Sequence, residues 1–207
     1  FNLRGADVNY NPVFISHALI EADRATLFVA PGKVDAALAA QLAADGVRVA
    51  DYAAAKPALA ALAGGALLID PRRVTLGLRQ AVADGVKVIE AINPSTLMKS
   101  QKTAAEAAHV RKAMEQDGAA LCEFFAWFEA NVNQSRITEL TIDEEITAAR
   151  ARRPGFVSPS FGTIAGFNAN GALPHYHATP EAHSEIKGDG LLLIDSGGQY
   201  LGGTTDI

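Results

Sequence analysis

The first half of the sequence alternates short apolar runs with alanine-rich segments, and this alternation limits the fold more than any other feature. The apolar runs lie at residues 13–20, 26–30, 47–50, 66–69 and 86–92. Between them lie segments of helical composition at 31–44, 53–62 and 72–83. Two of these segments end in Asp-Gly, a typical end for a helix. Strands that alternate with helices predict an α/β domain with helices covering a sheet.

Composition and charge exclude several classes of partner. Hydrophobic residues make up 49% of the 207 residues and charged residues 20%, enough apolar material for a packed core. The net charge of -5 argues against a nucleic-acid partner. We expect the one basic cluster, Arg150, Arg152 and Arg153, to be solvated at the end of a helix. No apolar run reaches the roughly 18 residues of a membrane span, so we expect no membrane partner.

The chain contains a single cysteine, Cys122. It therefore forms no intramolecular disulfide or cysteine-based zinc site, which fits a reducing, cytoplasmic compartment. Cys122 lies within a helical apolar pattern and is predicted to be a small core residue rather than a nucleophile.

The pattern changes after Asn93-Pro94-Ser95, which predicts domains at residues 1–97 and 98–207. Ser100 is a candidate N-cap of a helix of about eight turns. Apolar residues recur along this helix at intervals of three and four and predict its buried stripe: Ala107, Val110, Met114, Gly118, Leu121, Phe125, Phe128 and Val132. A second helix is predicted at 142–150, with Thr141 and Glu144 spaced as a capping box. We expect both helices to be scaffolding.

Residues 156–177 are rich in aromatic residues, glycine and small polar residues, which predicts short strands joined by Asn-Gly turns. His175 and His177 are two residues apart, so on an extended segment both would point to one face and could chelate a metal. His175 alone is the better candidate for chemistry. The sequence assigns no role to His177 or Arg4.

The last seventeen residues, 191–207, predict a hairpin that contains two carboxylates, Asp195 and Asp206. With the turn near Tyr200 and Leu201, the two acids would face each other, with β-carbons about 4.5 to 5.5 Å apart. Two buried carboxylates at that distance share a proton or bind cations. The hairpin therefore predicts a metal site.

Three sequence blocks together resemble the aminopeptidase P (Xaa-Pro aminopeptidase) group of pita-bread metallopeptidases, family M24. The blocks are Asn-Gly-Ala-Leu-Pro-His-Tyr at 170–176, Leu-Leu-Ile-Asp-Ser-Gly-Gly-Gln-Tyr at 192–200 and Gly-Thr-Thr-Asp-Ile at 203–207. The opening residues 1–14 also resemble the middle domain of the long, three-domain form. The resemblance implies an α/β creatinase/ribonuclease H-like N-terminal domain, followed by the first part of an α+β pita-bread catalytic domain. It also implies that the chain is a fragment.

The resemblance implies roles for three residues. Asp195 would hold one divalent metal ion and Asp206 would bridge two, usually manganese, with zinc or cobalt as alternatives. Water activated by the two metals would attack the scissile carbonyl as hydroxide. His175 would hydrogen-bond the substrate. The implied reaction releases the N-terminal residue from peptides with proline in second position, and the implied enzyme is a cytoplasmic homodimer.

The chain departs from the pattern of this family in two ways. Phe161 stands where some relatives carry a tyrosine. The family also needs a further histidine and two glutamates downstream, and these are absent from the 207 residues. We therefore expect an incomplete site that is inactive alone.

Two alternatives use the same final residues. A relative of the peptidases could keep the fold as a non-catalytic binding protein. Alternatively, Asp195-Ser-Gly-Gly could be a phosphate loop like that of actin-like ATPases and sugar kinases, with the Asp on magnesium.

Overall fold

A computed structural model describes all residues, 1–207, and the chain divides into two compact units. One consists of Phe14–Gln101, and the other combines Phe1–Val13 with Lys102–Ile207. The domain boundary at 97/98 stays a prediction. No helix combines the length and the apolar character needed to cross a membrane.

The unit Phe14–Gln101 alternates strands and helices, as predicted. Its strands are β1 (Ser16–Ile20), β2 (Ala25–Val29), β3 (Val47–Asp51), β4 (Ala66–Ile69) and β5 (Lys87–Glu90). Its helices are α1 (Ala36–Ala44), α2 (Ala55–Ala60), α3 (Leu76–Arg79) and α4 (Pro94–Ser100), with a 3-10 turn at Tyr52–Ala54.

Strand β2 is the buried centre of this unit. It pairs antiparallel with β1 and parallel with β3, while β4 and β5 form a separate parallel pair. Leu27, Phe28 and Val29 of β2 are almost fully buried. The parallel pairs and the helices between them confirm the α/β prediction.

All three predicted helices of this unit are shorter than predicted, and helix α2 covers only Ala55–Ala60 of the predicted 53–62. Helix α1 begins at Ala36, because the Asp35 side chain accepts a hydrogen bond from Leu38 N and caps it there. Only Leu76–Arg79 of the predicted helix 72–83 is helical. The buried Asp70 carboxylate accepts from Arg72 N and Asn93 N, which holds the start of the segment in a turn.

The other unit contains two long helices and five short strands. The helices are α5 (Ala104–Asn131) and α6 (Glu139–Ala151). The strands are β6 (Phe156–Pro159), β7 (Ile164–Phe167), β8 (Leu192–Asp195), β9 (Gly198–Tyr200) and β10 (Gly203–Thr204), with a 3-10 turn at Asn168–Ala172. β6, β9 and β10 form one antiparallel sheet in the order β10-β9-β6, and β7 pairs antiparallel with β8.

Both long helices begin at capping residues other than those predicted. Thr103, rather than Ser100, caps α5 in a capping box with Glu106. Thr138 caps α6 in a capping box with Thr141, so α6 starts before the predicted Thr141–Glu144 pair. The predicted Asn-Gly hairpin turn is also wrong, because Asn170 and Gly171 lie in the 3-10 turn.

The buried stripe predicted for α5 is wrong in part: Leu121, Phe128 and Val132 pack against the core as predicted, but the most deeply buried face lies beside the predicted one. The buried residues of the helix are Ala113, Asp117, Ala120 and Phe124, one position away from the predicted row. One position turns the face by about 100°. Three members of the predicted stripe, Val110, Met114 and Phe125, are exposed, and Cys122 is exposed instead of lying in the core. Two of the four buried residues are alanines, and the Ala113 methyl group lies 3.3 Å from the point where a β-carbon on Gly203 would stand.

The core of this unit lies between α5, α6 and the β7–β8 pair. Its buried apolar residues are Ala120, Phe124, Ile137, Ile142, Ile146, Ala149, Ala165, Phe167 and Ile186. Because Leu192 and Ile194 of β8 pack against the same cluster, the core fixes the strand that ends at Asp195.

Candidate metal centre

Asp195 is the last residue of β8. Its register partner is Ile164, the first residue of β7, and β7 is itself buried against α6. The Asp195 side chain is half-buried, so it lies at the edge of the core rather than inside it.

The predicted hairpin is present, with its turn one residue later than expected. Tyr200 pairs with Gly203, and Ser196 and Ile207 exchange both backbone hydrogen bonds, at 3.0 and 2.9 Å. This register puts Asp206 opposite Gly197. Asp195 and Asp206 therefore do not face each other directly, as the predicted turn position required.

The two carboxylates nevertheless share one face of the hairpin. Side chains alternate along a strand, so Asp195, Gly197 and Gln199 lie on one face, and Asp206 opposite Gly197 belongs to the same face. The Thr204 hydroxyl donates to Gln199 Oε1 at 2.6 Å across the hairpin on this side. Diagonal neighbours lie about 7–8 Å apart. Asp206 is exposed rather than buried, so the expectation of two buried carboxylates is wrong for this residue.

A side chain at Gly197 would disrupt this pair. A β-carbon there would collide with Thr205 O and Ser160 Oγ. These two atoms are joined by a hydrogen bond of 2.8 Å in which the Ser160 hydroxyl donates. Position 197, opposite Asp206, therefore has room only for glycine.

A buried ionic network supports the other face of the hairpin. The Tyr200 hydroxyl donates to Asp117 Oδ1 at 2.8 Å, and Arg150 binds both oxygens of Asp117, at 2.7 and 3.1 Å. Burial opposes ionisation of Asp117, but the hydrogen bonds from Arg150 and Tyr200 outweigh it and lower its pKa. Burial and the same carboxylate raise the pKa of Tyr200.

The basic cluster lies at the end of α6, as predicted, and Arg152 is exposed, but the prediction of a solvated side chain is wrong for Arg150. Arg150 is 1% exposed and paired with Asp117, while Arg152 and Arg153 both pair with Glu123. A guanidinium and a carboxylate can be buried together here because each satisfies the other with two hydrogen bonds.

His175 lies in a tight turn. Tyr176 N donates to Leu173 O at 3.3 Å, and Pro174 and His175 are the central residues. His175 has a φ of 57°, in the left-handed region that non-glycine residues seldom adopt. The expected extended segment is therefore wrong, and with it the expectation that His175 and His177 point to one face. The His175 side chain is exposed.

Glu139 at the start of α6 is a functional candidate that the sequence reading missed. It is 1% exposed. Its carboxylate accepts hydrogen bonds from Phe167 N at 2.7 Å, Ser184 N at 2.7 Å, the Tyr176 hydroxyl at 2.8 Å and Asn170 Nδ2 at 3.0 Å. Burial opposes its ionisation, but these donors lower its pKa. In the sequence, Glu139 shows only as an acid three residues before the buried Ile142 of α6. Acidic residues are common in the first turn of a helix, so this position alone does not indicate function.

The N-terminal segment contacts the face of the hairpin that carries Asp195, Gln199 and Asp206, here called the acid-bearing face. Gln199 Nε2 donates to Tyr10 O at 2.9 Å. The Tyr10 hydroxyl and the His177 ring both lie beside Gly162, within 3.6 and 3.4 Å of the point where a β-carbon would stand. Arg4 donates to Asn2 Oδ1 and is exposed. Sequence reasoning did not anticipate the contribution of Tyr10 and Gln199 to this face.

The donor chemistry fits hard or borderline divalent cations, because carboxylate oxygens suit manganese. The 207 residues bring no three His, Cys, Asp or Glu side chains together around one point. The chain therefore does not gather a full set of metal ligands around Asp195 and Asp206.

The phosphate-loop alternative does not fit the structure. Its amides would have to point at a ligand, but Ser196 N donates to Ile207 O and Gly198 N donates to Thr205 Oγ1. The segment after Asp195 is part of a hairpin.

Comparison with known proteins assigns both parts of the chain. Residues 1–106 match the creatinase/prolidase N-terminal domain and residues 108–207 match metallopeptidase family M24. This chain belongs to the M24 metallopeptidases that carry a creatinase/prolidase N-terminal domain. The family assignment confirms the fold class implied by the three sequence blocks, and it contradicts an actin-like or sugar-kinase origin.

Among similar proteins, Xaa-Pro aminopeptidase 1 of Dictyostelium discoideum is 35% identical over 212 residues, covering 100% of this chain and 33% of the relative. Xaa-Pro aminopeptidase 2 of Mus musculus is 32% identical over 214 residues, with 100% and 32% coverage. The chain thus spans about a third of the length of these M24 relatives. A similar solved structure is that of an X-prolyl aminopeptidase from Caenorhabditis elegans, described as a cytosolic enzyme with a di-nuclear active site. It superposes with a TM-score of 0.86 at 24% sequence identity, and the superposition covers 98% of this chain and 34% of that one.

Proposed function

We propose that the protein containing this chain is a metal-dependent aminopeptidase that releases the N-terminal residue from peptides with proline in second position. One observation carries the proposal: two carboxylates lie diagonally on one face of a hairpin in a domain of a metallopeptidase family. Xaa-Pro aminopeptidases of about 32–35% identity support the substrate class.

Asp195 and Asp206 would hold two divalent cations, for which manganese is our choice on donor chemistry, with zinc and cobalt as alternatives. Bound there, the cations would supply a nucleophile by lowering the pKa of water and would polarise the scissile carbonyl. The Caenorhabditis elegans neighbour is described as having a di-nuclear active site, which supports two ions rather than one.

His175 would bind the substrate. An exposed imidazole fixed in a tight turn can donate a hydrogen bond to a carbonyl oxygen, and such a bond becomes stronger as negative charge develops on that oxygen. Backbone strain of this kind is concentrated at functional sites. The same turn leaves His177 two residues further on, beside Gly162, where it would line the approach to the acid-bearing face.

We also propose a cytoplasmic homodimer. The single cysteine and the cytosolic neighbour support the compartment. Sedimentation of the full-length protein at twice the monomer mass would support the dimer, and a monomer at micromolar concentration would exclude it.

Product analysis tests the function. The full-length protein is incubated with manganese and two matched tripeptides, one with proline and one with alanine in second position, and the products are identified by mass spectrometry. We expect release of the first residue from the proline peptide only, and inhibition by a chelator. No cleavage of either peptide would favour the non-catalytic alternative, as would a full-length sequence without a further histidine and two glutamates.

A further inference from the structure

We propose that Glu139 is the positioning residue for His175. The inference rests on the proposed role of His175 in substrate binding. Glu139 itself lies in the first turn of α6 and is buried, so it acts through its hydrogen bonds rather than by touching substrate.

The two ends of the His175 turn converge on this one carboxylate. On the N-terminal side, Asn170 Nδ2 donates to Glu139 Oε1 at 3.0 Å, and Leu173 N donates to Asn170 O at 3.1 Å. On the C-terminal side, the Tyr176 hydroxyl donates to Glu139 Oε2 at 2.8 Å. Asn170 Nδ2 also lies 3.0 Å from the Tyr176 oxygen, which closes the network.

The same carboxylate ties this turn to the metal-bearing strands. Phe167 N donates to Glu139 Oε1 at 2.7 Å, and Phe167 ends β7, the strand whose other end pairs with Asp195. Direct backbone packing supports this link, because a β-carbon on Gly166 would lie 2.7 Å from Gly171 N. Glu139 therefore sets the distance between the His175 turn and the strand that carries Asp195.

A carboxylate is the group that this position requires. All four partners are donors, namely two backbone amides, one amide side chain and one hydroxyl. An ionised carboxylate is acceptor-only, whereas the amide of glutamine would place its own N–H groups against some of these donors. The left-handed conformation of His175 is costly and persists only when its surroundings hold it.

The test uses the full-length protein and the variants Glu139→Gln, Tyr176→Phe and His175→Ala, with Glu185→Gln as control. Glu185 is an exposed acid that faces Arg136. We expect Glu139→Gln to lower kcat/KM for the proline peptide by about 100-fold, since small displacements of a catalytic group have effects of that size. The control stays at the parent rate. Tyr176→Phe removes a single donor and is expected to fold, and it should lower kcat/KM in the same direction by a smaller factor.

Double variants distinguish a positioning role of Glu139 from a general loss of structure, because effects on kcat/KM that act through His175 are not additive with His175→Ala. In the His175→Ala background, Glu139→Gln and Tyr176→Phe should have almost no further effect on kcat/KM, while the metal content stays that of the parent. Full additivity, or a loss of metal equal to the loss of activity, would overturn the proposal.

Amide hydrogen exchange tests the positioning role of Glu139 independently of the activity. If the parent protein cleaves no proline peptide, the proposed function fails, but exchange of the Leu173 and Tyr176 amides still reports on the network. We expect faster exchange in that turn in Glu139→Gln and Tyr176→Phe and unchanged exchange in Glu185→Gln. Unchanged exchange in the first two variants would overturn the role of Glu139.

Discussion

Arg150 binds both carboxylate oxygens of Asp117 inside the core, at 2.7 and 3.1 Å, and the Tyr200 hydroxyl donates to the same carboxylate. Tyr200 is the last residue of β9. The ion pair therefore joins both long helices to the hairpin that carries Asp206.

Removal of one partner of this pair should strongly destabilise the chain. Asp117→Ala leaves the Arg150 charge buried without a counter-ion, and we expect a loss of about 3–5 kcal/mol in the free energy of unfolding. Arg152→Ala is the matched control, because Arg152 is half-exposed and shares Glu123 with Arg153. Its loss should stay below about 1 kcal/mol. Urea denaturation followed by circular dichroism measures both, and equal losses would refute the structural role of the pair.

A methyl group at Gly197 should disrupt the hairpin. The added β-carbon meets Thr205 O and Ser160 Oγ, so we expect Gly197→Ala to cost about 1–3 kcal/mol or more. Gly118→Ala is the control, since nothing lies within 4 Å of its β-carbon position in α5. There, alanine should stabilise the helix by up to about 1 kcal/mol. Thermal melts compare the two variants, and a stabilising Gly197→Ala would contradict the register described for Asp206.

Acid should destabilise the chain through Asp117 and Glu139. Both carboxyl groups have folded pKa values below their ordinary values of 3.8 and 4.5. The unfolded state therefore binds more protons in this range, and stability decreases as the pH decreases. The contribution is complete above about pH 4.5 and is lost as the pH falls through the lower folded pKa values. The midpoints of urea unfolding, measured between about pH 7 and pH 3, report this contribution to stability.

Substitution of Glu139 provides the control for the acid effect. Glu139→Gln removes one of the two titrating groups, so its midpoint should fall less steeply between about pH 5 and pH 3 than that of the parent. An identical slope in parent and variant would show that Glu139 does not contribute.

The sequence predicted the order of elements and the acidic hairpin, but not the contacts that depend on packing between distant segments. The alternation of strands and helices, β4 at Ala66–Ile69 and the strand before Asp195 follow from local patterns. The buried face of α5 does not, because the burial of Asp117 depends on Arg150 and Tyr200, which lie 33 and 83 residues away. Likewise, the burial of Glu139 depends on donors 28 to 45 residues further along. The turn at Leu201–Gly202 shifted the expected register of Asp206, since a difference of one residue at a turn moves every partner.

The 207 residues alone should bind manganese weakly. Two carboxylates without a third ligand cannot enclose a divalent ion, and no further ligand lies near them in this chain. Calorimetric titration of the chain should give no tight, stoichiometric binding. Tight binding of two ions would show that the 207 residues already form a complete site.

Metal content and activity of the full-length protein, measured with and without Asp206→Asn, test the central claim most directly. The control is Asp189→Asn, which changes an exposed loop acid. We predict two divalent ions per chain and cleavage of the proline peptide in the parent and the control, and loss of both properties in Asp206→Asn. An Asp206→Asn protein that keeps two ions per chain and the parent rate would contradict the assignment of this hairpin as the metal centre.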